Sequence, residues 1–282
     1  MEYTQDAWAI LNPIEQSIKA KIEKYGTPLK DWDISINYGI KTGCNEAFII
    51  SGAKRAELIE QDPKSAEIIR PILRGRDIKR YGYDFADLYL IWVPWHFPCH
   101  LNSSITGSSE KAEVAFKEQY PAVYNHLYQY KNKLAARNKS ETGIRYEWYA
   151  LQRWGANYWN DFSKQKIVWS DIATEPTFAV VESGIYFNNT CYMLCDAPTY
   201  LVGILNSKLI GWYFGKIATA LGNSSRYFKQ FVELLPIVEN ITPEQSALLN
   251  DASTYNVTAI NKVVCELYGL TPEETLFILN QK

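Results

Sequence analysis

The spacing of apolar residues alternates along the chain between a period of two and a period close to 3.6. Ile34, Ile36 and Tyr38 alternate with polar residues, which is typical of a strand with one buried face. A helix is predicted further along by apolar residues that lie three or four positions apart, namely Val123, Leu127, Tyr130 and Leu134. Both periods occur in several segments, so the pattern predicts a chain that contains helices and strands.

Turn residues and helix caps divide the chain into elements. Strands are predicted in these segments: 33–51 (two strands), 86–95, 165–182 (two strands, divided at Glu175-Pro176) and 185–194. Helices are predicted in these segments: 7–25 (interrupted or started near Pro13), 53–61, 108–119, 121–137 and 199–217. Three short helices follow from about residue 242, where two capping boxes have proline at the first helical position: Thr242-Pro243-Glu244-Gln245 and Thr271-Pro272-Glu273-Glu274.

The order of these elements predicts an α+β fold with mixed or antiparallel sheets flanked by helices and a small helical C-terminal appendage. We expect three regions: an N-terminal helix at 1–29, an α+β body at 30–236 and a helical, acidic appendage at 237–282. A chain of 282 residues is long enough to bury a substantial core.

Charge is distributed unevenly between these regions. The chain contains 29 Lys and Arg against 31 Asp and Glu, a formal net charge of −2. Residues 231–282 carry a net charge of −5, so residues 1–230 carry +3. Attraction of a polyanion depends on the local field of a patch, so a mildly basic body can still bind nucleic acid. Aromatic residues make up 14% of the chain and add surfaces on which bases can stack.

Several classes of protein are disfavoured by the sequence. No apolar run approaches the roughly 18–20 residues that span a bilayer, and the first residues lack the features of a signal peptide. The five scattered cysteines favour reduced thiols in a cytoplasm over a disulfide framework. Neither of the glycine-rich loops GxxxxGK[ST] and GxGxxG occurs.

Zinc binding is one catalytic alternative that the sequence leaves open. His96, Cys99 and His100 together with Cys191 and Cys195 offer nitrogen and sulfur ligands. Their spacing is looser than that of the paired ligands in most zinc sites, and the last two cysteines lie in an apolar predicted strand. An ordinary core role therefore fits these residues better than a metal site, and we assign no metal ligand.

A metal-dependent nuclease is the second catalytic alternative. Asp77 and Lys79 lie two residues apart, so on a strand they would point to one face and could hold Mg²⁺ and polarise a phosphate. This chemistry would need a further acid, such as Asp62 or Glu67. The short pattern is common by chance, so the nuclease remains the alternative to a binding function.

Cations occur together with small polar or aromatic residues in four segments. Arginine and lysine contact phosphates and base edges, and glycine lets the backbone approach an anion closely. The candidate DNA-binding residues are Lys41 and Thr42 in 39–45, Arg74, Arg76, Lys79 and Arg80 in 70–81, Arg137, Arg145 and Arg153 in 131–153, and Lys208, Ser224 and Arg226 in the fourth group. No catalytic residue is assigned.

Each of these segments is also typical of an ordinary structural feature. The 39–45 loop fits a tight hairpin turn, and 70–81 fits a solvated loop whose cations pair with nearby acids. The cations of 131–153 fit a helix end beside an aromatic core cluster, and the fourth group fits capping and turn chemistry. Together the segments nevertheless favour a nucleic-acid-binding body.

Nine short strings, in order along the chain, carry a resemblance to a known family. They are GIKTGCNEAFII, RPILRGRDIKRY, YPAVYNHL, KLxxR ending at Arg137, WYxL at 148–151, LNSKL, LGNSSRY, LLPI and ELYGLTPEE. The chain resembles the TaqI-like C-terminal specificity domain of type IIG restriction–modification enzymes and adenine-specific DNA methyltransferases. The ending LLPIVENITPEQ is also similar to the junctions that close recognition domains in type I specificity subunits.

The resemblance implies a sequence-specific, double-stranded DNA recognition module that is not catalytic by itself. In such a parent enzyme a methyltransferase domain, or a separate subunit, binds S-adenosylmethionine, and Mg²⁺ is expected if a nuclease is present. The Asn/Asp-Pro-Pro-Tyr catalytic motif of that domain does not occur in this chain, where Asn12-Pro13-Ile14 fails to match it. We therefore expect a prokaryotic, cytoplasmic protein in which residues 30–236 form the target-recognition domain and residues 1–29 form a linker helix.

Family resemblance also divides the candidate residues by role. Segments shared by relatives that read different DNA sequences are expected to contact phosphates or support the fold. Base-reading residues are then expected in the other stretches, here 96–110, 137–153 and 155–163. On this reasoning Arg74 and Arg76 hold the backbone or the fold, and Asp77 is an internal partner for neighbouring cations.

Overall fold

The computed structural model describes residues 11–218, 220–221, 224–250 and 256–281. Its α-helices are Pro13–Tyr25, Asn45–Phe48, Gly52–Gln61, Glu110–Gln119, Pro121–Tyr128, Lys131–Ala135, Leu201–Leu205, Lys208–Ile217, Lys229–Val232, Pro243–Asn250, Val257–Leu267 and Pro272–Leu279. Its strands are Thr27–Pro28, Ser35–Tyr38, Ile49–Ser51, Ile69–Leu73, Ile78–Lys79, Gly82–Tyr83, Leu88–Ile91, Lys166–Ser170, Ile172–Ala173, Phe178–Val181, Tyr186–Phe187, Cys191–Cys195, Ala220–Leu221, Ser224–Arg226 and Pro236–Ile237. Short 3-10 helices lie at Leu29–Asp31, Pro63–Glu67, Gly75–Asp77 and Trp159–Ser163.

Two four-stranded sheets form the centre of the molecule. The central sheet is antiparallel, with the order Phe178–Val181, Lys166–Ser170, Cys191–Cys195 and Ser35–Tyr38. The second sheet is mixed, with the order Tyr186–Phe187, Ile69–Leu73, Leu88–Ile91 and Ile49–Ser51, in which only the first pair is parallel. The predicted α+β class with mixed and antiparallel sheets is confirmed.

The central sheet separates two hydrophobic cores. Ile167 and Trp169 face a core that also contains residues of the N-terminal and C-terminal helices. Val168 and Met193 face the other core, which contains the second sheet and the helices that cover it. Because successive side chains of a strand point to opposite faces, two covered faces require the continuous apolar runs seen in 167–169, 178–181 and 191–195.

The helices at both ends of the chain share one core with the central sheet. Ile18 and Ile22 of Pro13–Tyr25 lie in the same buried cluster as Val264 and Ile278 of the C-terminal helices. The division at 1–29, 30–236 and 237–282 stays a prediction. Both of its boundaries fall at the two-stranded pairing of Thr27–Pro28 with Pro236–Ile237.

Helix caps and breaks follow local side-chain chemistry. The first helix begins at Pro13, where Asn12 forms a capping box with Glu15; residues 7–10 of the predicted helix lie outside the described residues. The two predicted capping boxes form at Thr242 and Thr271, and the three predicted C-terminal helices are confirmed.

Four predicted elements are interrupted in the structure. The single helix predicted at 199–217 is wrong, because Asn206 binds the backbone of Phe178 through its amide and Ser207 caps a new helix. The helix predicted at 121–137 stops at Tyr128 and resumes at Lys131. The strands predicted at 185–194 and in the second half of 33–51 are broken by a turn at 188–190 and by the helix Asn45–Phe48.

A buried carboxylate joins the two ends of the chain. Glu274 accepts hydrogen bonds from Ser17 Oγ and Lys21 Nζ, both at 2.6 Å, and from the backbone N–H of Thr271 at 2.7 Å. Burial raises the pKa of this carboxyl, but these donors outweigh burial and lower the pKa to about 2.

We expect Glu274→Gln to destabilise the protein at neutral pH, by about 2–3 kcal/mol in the free energy of unfolding. A carboxyl group whose pKa is lower in the folded state stabilises the fold at pH values above its unfolded pKa, which is near 4.5. This stabilisation is lost as the pH falls towards 2. The variant and the wild type should therefore converge in stability between pH 4.5 and pH 2, as measured by urea unfolding. A constant difference over this range would contradict the assigned role.

Candidate nucleic-acid interface

The chain passes from one large sheet to the other in three residues. Tyr186–Phe187 ends at the edge of the second sheet, and Cys191–Cys195 begins inside the central sheet. Residues 188–190, which we call the crossing turn, connect them. Thr190 donates its hydroxyl to Asn188 Oδ1 at 2.6 Å, which closes the turn.

The 39–42 segment packs against one side of the crossing turn. Ile40 donates its N–H to Phe187 O at 2.8 Å and accepts from Asn189 N at 3.0 Å. Gly39 is required here because a Cβ at this position would overlap the carbonyl oxygen of Asn188. The close approach places Lys41, whose side chain is exposed, next to the turn.

The 73–77 segment packs against the other side of the crossing turn. Asn188 N donates to Leu73 O at 3.1 Å, and Gly75 N donates to Thr190 Oγ1 at 3.0 Å. Next to this contact, Arg74 donates hydrogen bonds from Nε and Nη2 to the Asp77 carboxylate, each at 2.8 Å. Burial raises the pKa of Asp77, and the bonds from Arg74 more than reverse that rise. The expectation that Asp77 is an internal partner of a neighbouring cation is confirmed.

A small three-stranded sheet extends the same surface. Asp171 N donates to Thr190 O at 2.9 Å, and the next residues form the strand Ile172–Ala173. Ser224–Arg226 pairs antiparallel with that strand, with Arg226 directly opposite Ile172. The predicted positions Ser224 and Arg226 are thereby joined to the crossing turn through Asp171.

The cations on this surface differ in whether they form ion pairs. Lys41, Arg76 and Arg226 form neither an ion pair nor a side-chain hydrogen bond within the described ranges, although Arg76 interacts electrostatically with Asp77, and Arg226 with Asp171. Lys79 donates to Arg76 O at 2.7 Å and lies 3.8 Å from the exposed Asp84 carboxylate. Cations that have no ion-pair partner, on backbone segments that are fixed to one turn, are well placed to meet phosphates.

Arg145 and Arg153 are held over an indole ring beside Lys41. The backbone of Arg153 pairs with Lys41 through two hydrogen bonds, at 2.9 and 3.0 Å. Both guanidinium groups bind Glu141, and they lie 5.4 and 6.0 Å from the centre of the Trp95 ring. Hydrogen bonds from Arg153 lower the pKa of Glu141, so this carboxylate is ionised at neutral pH. It balances one of the two guanidinium charges, and the other positive charge remains at the surface.

Two of the predicted DNA-binding residues are buried. Thr42 is 2% exposed, and its hydroxyl donates to Asn45 Oδ1 and accepts from Cys44 N. Arg137 is 9% exposed and donates to four backbone carbonyls at 2.5–3.0 Å, those of Thr42, Leu134, Trp148 and Ala150. Both residues hold loops together in this structure, and we correct their assignment from DNA contact to support of the interface.

Arg80 and Lys208 line a different cleft. Its volume is 340 Å³, and it lies where the turn at 206–207 meets the end of the chain. Arg80 donates to Asn206 O at 2.5 Å, whereas Lys208 donates to Leu279 O at 2.7 Å and to Gln281 O at 2.9 Å. The structure therefore does not bring these two cations to the crossing turn.

Neither catalytic alternative is supported. Both Asp77 oxygens are occupied by Arg74, and in the described stretches of the chain no group of three or more His, Cys, Asp or Glu side chains could hold a metal ion. Of the zinc candidates, Cys191 and Cys195 are buried in the core, and His96 binds the buried carboxylate of Glu147. All five cysteines are free thiols.

Some residues of this surface were not predicted from the sequence. The crossing turn, Asp171, Ile172, Trp95 and Glu141 all contribute to it. Asn188-Asn189-Thr190 between two apolar runs is a turn signal, so the break could have been found. The contact between this turn and the 39–42 and 73–77 segments is long-range and has no local signal.

A family model decides the family of this chain. The TaqI-like C-terminal specificity domain matches residues 70–237. The chain belongs to this family. The resemblance seen in the sequence is confirmed, and with it the expectation of a DNA-recognition module.

Two solved structures are similar to this specificity domain. One is the type IIL restriction-modification enzyme MmeI in complex with DNA, at 13% sequence identity and a TM-score of 0.59; the matched region covers 89% of this chain and 35% of that chain. The other is the type IIG restriction endonuclease BpuSI, at 10% sequence identity and a TM-score of 0.48; the matched region covers 94% of this chain and 32% of that chain. The specificity domain thus spans about a third of the length of either enzyme. The first likeness shows a shared fold. No described helix of the domain is long and apolar enough to cross a membrane.

We expect Arg137→Met to lower the free energy of unfolding by roughly 3 kcal/mol, because it leaves buried carbonyl oxygens without a donor. Lys133→Met is the matched control, since it removes a cation from the exposed face of the adjoining helix, where Lys133 pairs with Glu46. Urea unfolding should show a clear loss for the first variant and little change for the second. Equal effects would contradict the structural role of Arg137.

Proposed function

We propose that this specificity domain holds double-stranded DNA through the surface around the crossing turn and reads base pairs for a methyltransferase domain. The observation that carries the proposal is the convergence of Lys41, Arg76 and Arg226 on backbone segments fixed by residues 188–190. These cations come from three distant segments of the chain, and none forms an ion pair within the described residues. Cations that are held by a fixed backbone and are not engaged in ion pairs are what a phosphate-binding rim requires.

The proposed division of labour follows from the chemistry of adenine methylation. A methyltransferase reaches its target atom only when the base has left the duplex, which costs a few kcal/mol. A second lobe that grips the phosphates and reads neighbouring bases can offset that cost and select the site. We propose that the partner is an adenine-specific methyltransferase domain in the same parent enzyme or a separate subunit, with S-adenosylmethionine as its cofactor and Mg²⁺ where a nuclease accompanies it. The proposed location is the prokaryotic cytoplasm.

We rank the proposed phosphate contacts by whether the cation already has an ion-pair partner in the domain. Lys41, Arg76 and Arg226 are the principal phosphate contacts, and Arg145 with Arg153 forms a second cationic surface over Trp95. The side chain of Arg74 is engaged by Asp77, so it supports the position of Arg76. Base readers in 96–110, 137–153 and 155–163 stay a prediction.

We expect single alanine substitutions of Lys41, Arg76 and Arg226 to weaken binding to all duplexes by a similar factor. Each lost phosphate contact should make the slope of log K against log salt shallower by about 0.9. Lys117→Ala removes an exposed cation from the distant helix Glu110–Gln119 and serves as the control. Fluorescence anisotropy over a salt series measures both quantities, and loss confined to one DNA sequence would contradict phosphate contact.

We expect the chain to bind a plasmid in Mg²⁺ without cutting it, because both oxygens of Asp77 accept hydrogen bonds from Arg74. Gel analysis of supercoiled plasmid, incubated with and without Mg²⁺, tests this. Cleavage by the wild type that disappears in Asp77→Asn would contradict a function limited to binding.

A further inference from the structure

A shallow groove lies between the crossing turn and the small three-stranded sheet. It has a volume of 350 Å³ and is lined by Arg74, Gly75, Arg76, Ser170, Asp171, Ile172, Asn188 and Thr190. Most of these residues are polar or charged, and their backbones are cross-linked by the hydrogen bonds of the crossing turn. Ile172 is the aliphatic side chain of this lining, and 44% of its surface is exposed.

The register of the small sheet fixes where Ile172 points. Ile172 lies directly opposite Arg226 in an antiparallel pair, so both side chains emerge on the same face of the sheet. Arg76 lines the same groove as Ile172. An exposed aliphatic side chain thus lies opposite one arginine in the sheet and shares a groove with another, and neither arginine has an ion pair within the described residues.

Single exposed apolar residues are common on protein surfaces, so exposure alone assigns no role. The surroundings of Ile172 are what matter here. Phosphate contacts fix the register and orientation of a protein on a duplex, so an exposed side chain beside them can be presented to the edges of nearby base pairs. In the major groove, thymine is the base that presents a methyl group, and an apolar side chain is its complement.

We propose that Ile172 is a specificity-determining residue that contacts the C5 methyl group of a thymine in the recognised sequence. The inference rests on the proposed function, since it requires a duplex held by Arg76 and Arg226. Ile172 lies outside the stretches 96–110, 137–153 and 155–163 in which base readers are predicted from the sequence. Its role follows from the fold, which joins the strand Ile172–Ala173 to the crossing turn through Asp171.

The experiment uses the 282-residue chain and a library of random-sequence duplexes. Bound duplexes are enriched and sequenced, and each thymine of the enriched site is then replaced singly by deoxyuridine, which removes only the methyl group. We expect one replacement to weaken wild-type binding about three- to fivefold, the effect of one buried methyl group. For Ile172→Ala the same replacement should have no effect, whereas Ile172→Val should keep the preference.

Val114→Ala is the matched control, because Val114 is an aliphatic residue that is 55% exposed on the distant helix Glu110–Gln119. It should show the wild-type response to deoxyuridine. The inference is overturned if Ile172→Ala keeps the full response, if no deoxyuridine replacement affects the wild type, or if the enriched site contains no thymine. If a sequence is enriched in any of these three cases, the proposed recognition function is not contradicted. Failure to enrich any sequence would contradict that function and this inference with it.

Discussion

The crossing of the chain between two sheets in three residues is the constraint on which the rest of the structure depends. Phe187 pairs with Leu73 in the second sheet, and Cys191 pairs with Ser170 in the central sheet. Residues 188–190 cannot follow either sheet, so their backbone groups are satisfied by the segments that flank the turn. Those segments are 39–40, 73–75 and 171. The first two are followed directly by Lys41 and Arg76, and the third leads to Ile172, which pairs with Arg226.

Backbone contacts rather than ion pairs therefore position Lys41, Arg76 and Arg226. A surface cation that is held by a carboxylate loses much of its attraction for a phosphate, and the pair itself adds little stability. Lys41, Arg76 and Arg226 avoid this because hydrogen bonds of the main chain fix their places. Residues 231–282 carry a net charge of −5 because they contain few bases, so a chain with a net charge of −2 can present a positive surface elsewhere.

The sequence predicted the fold class and most elements because these depend on local patterns. Capping boxes at Thr242 and Thr271 and the apolar runs of the central strands are such patterns. The sequence did not predict that Arg137 is buried, because its partners are carbonyls from residues 42, 134, 148 and 150, which only the fold brings together. The same holds for the surface around the crossing turn, because spacing could not separate Lys41, Arg76 and Arg226 from Arg80 and Lys208, which line a different cleft.

Arg74 and Arg76 differ in their surroundings although they lie in one basic stretch, since Arg74 is bound to Asp77 and Arg76 is exposed. Gly75 lies between them, and a side chain there would crowd Ser170 and Thr190. The close contact turns Arg74 back onto Asp77, where three hydrogen bonds from Arg74 hold the carboxylate. Arg76 then projects from a 3-10 turn that is fixed at both ends. A dense run of cations is thus not one uniform patch, because the acid within it engages one arginine and leaves the other available to the groove that contains Ile172.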